Sequence, residues 1–469
     1  MANNLEKQRA KEANELRKWL KIQNKSAGKY YFAIMIIVLT IIYIVDEVAT
    51  NICGTVTTNI TFDLFNITNR DITSDEFANA ANQMALLGIM PLLFQFVAPF
   101  YKSLADRYGR RLFLAINTVG MALGMFIVMI APNPLIYAVG LTTINFVVPN
   151  DVQVLYIMES VDAKHRAKYC NIAKAFAILG ISSIGVLRTI FINEANPSSW
   201  RLIFLIPVIL AAFVGTMSVF FVRETPVFLN KRIRYLSASE DERKHQATQE
   251  NAKAMEQKGG VGSAIRFIFK NKQLRYLAIC AILFSFTSVA TSYNNNIMVG
   301  GGMSESQIST AIIVYPVVYA ILTAVSGFYS DNKGRRTTCL TFGTLSMACL
   351  ILFVLATKFV HNGILVGLLY GGFVGGLWST GDTLLLTLPQ ESAPTNLRAS
   401  VVGVFTLTLV IGLVGVFGVA IAYNFFRDYG WLCFLCAVPF MAVSLLLLKT
   451  KVHETRGVNL DAVTGQEWN

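Results

Sequence analysis

A block of about 230 residues occurs twice in this chain, and that duplication constrains the fold more than any single motif does. Asp106-Arg107-Tyr108-Gly109-Arg110-Arg111 stands in a short polar gap between two long apolar runs. Asp331-Asn332-Lys333-Gly334-Arg335-Arg336 repeats it 225 residues on. Glu159, followed seven residues later by Arg166, is matched by Glu391 and Arg398 at an offset of 232. Arg223-Glu224-Thr225-Pro226 is matched by His453-Glu454-Thr455-Arg456 at an offset of 230. Three matches in one order at nearly one offset mean two homologous halves.

The medium of the fold follows from charge. Only 14% of residues are charged, 54% are hydrophobic, and the mean hydropathy is +0.52. A soluble domain carries about 25% charged residues, so this chain lacks the charge to cover soluble surfaces. Its apolar residues come in runs, such as that at 33–45, that build helices matched to ~30 Å of hydrocarbon. The reading is an all-α integral membrane protein with twelve spans, near 30–59, 77–103, 112–131, 135–159, 168–193, 200–222, 273–298, 305–330, 337–357, 363–388, 399–425 and 429–449.

The net charge of +12 resembles a nucleic-acid signal until it is located. Lys and Arg fill alternate gaps, with Arg70, Lys358 and Arg427 the exceptions in the others. That is the positive-inside pattern. It excludes a nucleic-acid partner and places both termini and the Arg motifs in the cytoplasm, in a multi-pass protein of the plasma membrane. The domains are a cytoplasmic tail (1–29), six spans (30–222), a cytoplasmic linker (223–272), six more spans (273–449) and a second tail (450–469). The first tail reads as a helix on the inner leaflet or as an unstructured segment; the linker reads as helical over 237–260. The seven cysteines lie in or beside apolar runs and read as small core residues, not as a metal site or disulfide framework.

Asp-x-x-Gly-Arg-Arg between spans 2 and 3, repeated between spans 8 and 9, resembles the signature loop of the major facilitator superfamily. The Glu-x6-Arg pairs, Arg223-Glu224-Thr225-Pro226 and His453-Glu454-Thr455-Arg456-Gly457 resemble its sugar-porter and organic-ion branches. Pro394-Thr395-x-x-Arg398 is closer to the organic-ion side. The resemblance covers the whole chain. It implies two pseudo-symmetric six-helix bundles, with spans 1, 4, 7 and 10 lining a cavity, and alternating access by rocking one bundle against the other.

The residues themselves nominate a site. Acids inside spans are costly and usually functional. Asp46 and Glu47 lie in span 1, Asp151 in span 4 and Asp382 in span 10; these are the proton-coupling candidates, Asp46 first. The solute-binding candidates are Arg188, Trp378, Asn51, Asn150, Gln153, Tyr293, Asn294, Asn295, Tyr315 and Tyr319. Arg188 either neutralises Asp46 or receives a solute carboxylate in a bidentate fork. Span 7 is expected to break over Asn294 to Asn296. Asp106, Gly109, Arg110, Arg111, Glu159, Arg166, Glu224, Asp331, Gly334, Arg335, Arg336, Glu391, Arg398 and Glu454 are expected to form a cytoplasmic gate of charge pairs.

The function read from these features is proton-coupled secondary transport of a small organic solute by a monomer in the bilayer. An organic ion or aromatic acid is the first substrate class and a sugar the second; a membrane sensor without transport is the rival of another class. No cofactor is called for. The four histidines are scattered through loops, and neither H-E-x-x-H nor Gly-x-Ser-x-Gly occurs, so an enzyme is not expected.

Overall fold

The computed structural model describes residues 2–26, 29–95, 101, 108–147, 152–161, 166–193, 195–238, 260–394 and 397–457. All regular structure among them is helical. Among the described residues, ten helices are long and apolar enough to cross a bilayer. The other two expected spans are described in part, span 2 over Asp75–Leu87 and Ile89–Gln95, span 4 over Pro134–Val147 and Val152–Ser160. The chain is therefore an all-α membrane protein of two six-span halves. Side chains such as Phe220, Phe328 and Phe425, each more than 70% exposed, are solvated by lipid rather than water, so they carry no penalty.

The N-terminal segment is a helix, Ala2–Ser26. It lies against the helix Pro226–Ser237 that follows span 6, with Glu12 paired to Arg232 at 3.1 Å and Arg17 donating to Ser237 Oγ at 2.9 Å. The middle of the linker, 239–259, lies outside the described residues.

Described residues gather into two compact units. The first takes residues from 1–51, 88–180 and 201–252; the second takes residues from 52–87, 181–200 and 253–469. In the first, spans 1, 3, 4, 5 and 6 converge on Leu39, Ile42, Leu114, Tyr156, Ile157 and Ala177. Lipid tails are as apolar as leucine, so such helices associate by close packing rather than by escape from water. Gly124 and Gly140 bring spans 3 and 4 together: a Cβ on Gly124 would lie 2.9 Å from the backbone nitrogen of Ile144.

In the second unit the same device joins spans 8 and 10. Gly363, Gly367, Gly371 and Gly375 recur every fourth residue, hence on one face. They abut the backbone or Cβ atoms of Gln307, Ala311, Tyr315 and Leu322. Trp378 and Asp382 lie seven and eleven residues beyond Gly371 and so continue this row, which is a packing seam at Gly371 and Gly375. A Cβ on Gly371 would meet Tyr315 O at 2.5 Å, and overpacking of this kind costs ~1–3 kcal/mol. Gly371→Ala should lower the melting temperature in detergent, whereas Gly327→Ala, with nothing within 4 Å, should not. Equal midpoints for the two would reject the seam.

Two spans tighten where hydroxyls compete for backbone carbonyls. In span 7, Ser285, Ser288 and Thr291 each donate to the carbonyl three residues back, at 2.6–2.7 Å. Such bonds favour a tighter turn than the α-helix, and Phe286–Ser288 is a 3-10 turn. The break falls at Tyr293 (φ −111, ψ 17), and helix resumes at Asn294, so the asparagines begin a helix instead of interrupting one. In span 1, Thr55 does the same to Ile52 O within the 3-10 turn Cys53–Val56. Helix then continues to Leu64, beyond the expected end at 59.

Within the second unit, the ends of spans 1, 2 and 5 remote from the Arg motifs pack on the second half. Thr58 N donates to Asn295 Oδ1 at 3.0 Å, and Asn82 to Asn424 at 2.8 Å. Ser182 Oγ donates to Ile313 O at 2.8 Å, and Gly185 lies flush against the backbone of span 8.

Candidate functional site

The Arg motifs fold into two clamps of one design. Gly109 and Gly334 precede spans 3 and 9 with φ of 109° and 105°, a region that side-chain-bearing residues avoid. A Cβ at either would also collide with a carboxylate, Glu224 in one half and Glu454 in the other. Each of those carboxylates caps the helix it touches. Glu224 accepts from the backbone of Arg110 at 2.9 Å and of Arg111 at 3.2 Å; Glu454 accepts from Arg335 at 2.7 Å and Arg336 at 3.1 Å. A negative group there meets the free N–H groups and the positive end of the helix dipole.

The second acid closes each clamp. Arg110 pairs with Glu159 at 3.0 Å, and the other oxygen of Glu159 accepts from Thr225 Oγ1 at 2.6 Å. Arg335 pairs with Glu391 at 3.0 Å, and Glu391 accepts from Thr455 Oγ1. The last arginines follow suit, Arg111 donating to Val219 O and Arg336 to Lys449 O. Asp331 adds an exposed bond to Arg335 at 2.9 Å. Arg398 donates to the carbonyls of Gln390 and Ala393, at 2.9 and 3.4 Å. Asp106 and the side chain of Arg166 lie outside the described residues. Thr225 and Thr455 were the participants not singled out by the sequence, although both stand inside the quoted motifs.

Among the coupling candidates, Asp46 is buried (6% exposed) and its Oδ2 accepts from the amide of Gln153 on span 4 at 2.6 Å. Asn51 Nδ2 donates to Glu47 O at 2.8 Å and reaches its carboxylate at 3.5 Å. Asp382 is half-buried at the start of a wide π-helical turn, Asp382–Thr387, a kind of local widening frequent at functional sites. Asn150 and Asp151 lie outside the described residues.

In the second unit, Asn294 Nδ2 donates to the Tyr370 hydroxyl at 2.9 Å, and Tyr315 meets Tyr370 edge-on at 5.0 Å. Among the described residues, Asn294 Oδ1, Asn295 Nδ2 and Asn296 Oδ1 are buried without a hydrogen-bond partner. Trp378 and Tyr319 are half-buried. Tyr293 is bound into the packing: its hydroxyl donates to Val416 O at 2.8 Å and its ring stacks on Tyr429 at 5.0 Å. The carboxylate held by Arg188 within its unit is Glu305, with Thr55 O as the second acceptor. Glu305 was missed because Ser304-x-x-Gln307 is a capping box, and an acid just inside such a box reads as a helix-start residue.

These features define a duplicated helical membrane protein, with matched clamps at one end of each half and an acid, Asp46, buried in span 1. The family model of the Major Facilitator Superfamily matches residues 30–414 and 277–464. The chain belongs to that superfamily, whose members are transporters, not enzymes. The inward-open structure of the xylose transporter XylE from E. coli is similar at a TM-score of 0.66 and 16% identity, covering 94% of this chain and 100% of that one. A D-xylose-proton symporter gives 0.64 and 16%, covering 91% and 99%. An inward-facing bacterial homologue of the human lysosomal transporter Spinster gives 0.59 and 14%, covering 91% and 96%. These likenesses concern the fold. No curated protein sequence matches the chain.

Proposed function

We propose that this transporter is a proton-coupled symporter of a small polar organic solute, working by alternating access with both termini in the cytoplasm of a plasma-membrane protein. The observation that carries the coupling is the contact between Asp46 and Gln153. An ionised carboxylate at the middle of a span costs ~2.5–3.5 kcal/mol. A carboxamide can donate to the ionised acid and accept from the protonated one, so it supports both states of a group that exchanges a proton. Glu47, Asp151 and Asp382 stand behind Asp46 as alternatives. The two clamps serve as the jaws of the cytoplasmic gate, holding spans 3, 4 and 6, and spans 9, 10 and 12, as rigid ends.

For the solute, the buried amide atoms of Asn294, Asn295 and Asn296 weigh most. A buried polar atom left unpartnered costs ~1–3 kcal/mol, which is tolerable where another state of the cycle supplies the partner. Mixed donors and acceptors without net charge suit a neutral, hydroxyl-rich solute, and Trp378 offers a ring face. Two structural neighbours are named as a xylose transporter and a D-xylose-proton symporter, which supports the same class. Gln153, Asn51 and Asn150 remain solute-binding candidates from the sequence. A second reading, an organic acid, rests on the unpartnered Nε of Arg188. Purified protein should gain thermal stability with neutral sugars and polyols more than with benzoate or quaternary amines, and the stabilising compound should accumulate in proteoliposomes on an inward proton gradient. Stabilisation by carboxylates alone would replace the solute class; binding without flux would make the protein a sensor.

A further inference from the structure

We propose that Arg188, Glu305 and Asn59 are an ion-pair lock that holds the face remote from the Arg motifs shut, so that outward opening requires Glu305 to leave Arg188. The three belong to different spans. Arg188 is on span 5 and Asn59 on span 1, both in the first half of the duplication, while Glu305 begins span 8 in the second. Arg188 is wholly buried, and the Glu305 side chain is 22% exposed. One oxygen of Glu305 takes Arg188 Nη2 and the other takes Asn59 Nδ2 at 2.9 Å. Arg188 Nη1 donates to Thr55 O, beside the tight turn of span 1. One carboxylate thus fastens two spans of the first half to one of the second.

The burial separates this pair from a second one that joins the halves among the described residues. Arg427 and Asp75 also meet, but the Asp75 side chain is 91% exposed. An exposed pair contributes little, whereas stripping one partner from a buried pair leaves an uncompensated charge. Parting the halves at this face strips Arg188 of its counter-ion, so the pair weights the equilibrium toward closure. Span 5 is seated on span 8 by Ser182 and Gly185, which leaves the guanidinium little room to follow. Glu305 is the mobile partner because it is the first residue of its helix. Arg188 Nε and Asn59 Oδ1, which have no hydrogen-bond partner among the described residues, are polar atoms that opening would hydrate.

The test is a distance measurement between spin labels at Ala195→Cys and Val360→Cys, exposed positions near this face in the first and second halves. The half-buried Cys170, Cys349 and Cys436 are first replaced by serine. Glu305→Gln should raise the ratio of long to short distances tenfold or more, and Asp75→Asn should leave it unchanged. Because Glu305→Gln strands a buried charge and can compromise folding, Arg188→Met with Glu305→Gln is made beside it. That double variant removes both charges, so it should fold and still show the shift. A distance distribution equal to the wild type in the double variant, or in well-folded Glu305→Gln, overturns the lock. The readout needs no knowledge of the solute, so its outcome is independent of the substrate class.

Discussion

Asp46→Asn should abolish accumulation of solute on a pH gradient while leaving solute exchange in place. One proton moving down a gradient of one pH unit supplies ~1.4 kcal/mol, enough for a tenfold concentration ratio. A carrier that has lost its titrating group retains none of that ratio, so the steady-state ratio should fall to about one. Asparagine keeps the shape of the protonated acid and can still bond to Gln153, whose amide now sits 2.6 Å from the Asp46 carboxylate. Binding and counterflow should therefore survive. The measurement pairs counterflow with gradient-driven uptake in proteoliposomes. If Asp46→Asn keeps full pH-driven accumulation, the proton is carried elsewhere and Asp382, at the π-turn of span 10, is the next group to replace. If counterflow is lost as well, Asp46 is needed for binding or for the fold rather than for coupling.

The duplicated clamps were legible in the sequence because chemistry fixes their residues. A positive φ demands Gly109 and Gly334, helix N-termini demand the carboxylates of Glu224 and Glu454, and the paired acids need their arginines. Such requirements survive in both copies, so the offset exposes them. The span count was legible for the same kind of reason, since hydrocarbon thickness dictates helix length. Other features have no local signature. Arg188 and Glu305 are far apart in the chain, and nothing beside either names the other. The glycine seam of span 10 is one of them, because spacing gives the face but not what it faces. The tight turns in spans 1 and 7 depend on which way serine and threonine hydroxyls point, a competition between neighbouring carbonyls that composition does not settle.

The second large effect is expected from the acids that close the clamps. Glu159→Gln and Glu391→Gln should each destabilise the protein by ~1.5–3 kcal/mol, the worth of a hydrogen bond to a charged group. Both acids are mostly buried, at 12% and 15% side-chain exposure, so solvent replaces little of what is lost. Their described partners differ: Arg110 and Thr225 for one, Arg335 and Thr455 for the other. Changes at sites without shared partners add to within ~0.3–0.5 kcal/mol. The double variant should then lose the sum of the two single losses, and transport should slow with it, because each half loses the stiffness of its cytoplasmic end. Denaturation midpoints of the four proteins in one detergent close the cycle. An interaction energy well above ~0.5 kcal/mol would mean that the two acids act in one network, and the clamps would then be a single latch rather than two independent jaws. Unchanged stability and transport in the double variant would reduce Glu159 and Glu391 to markers of topology. The additive result is the one favoured by the geometry, since each carboxylate already spends both oxygens on partners of its own half.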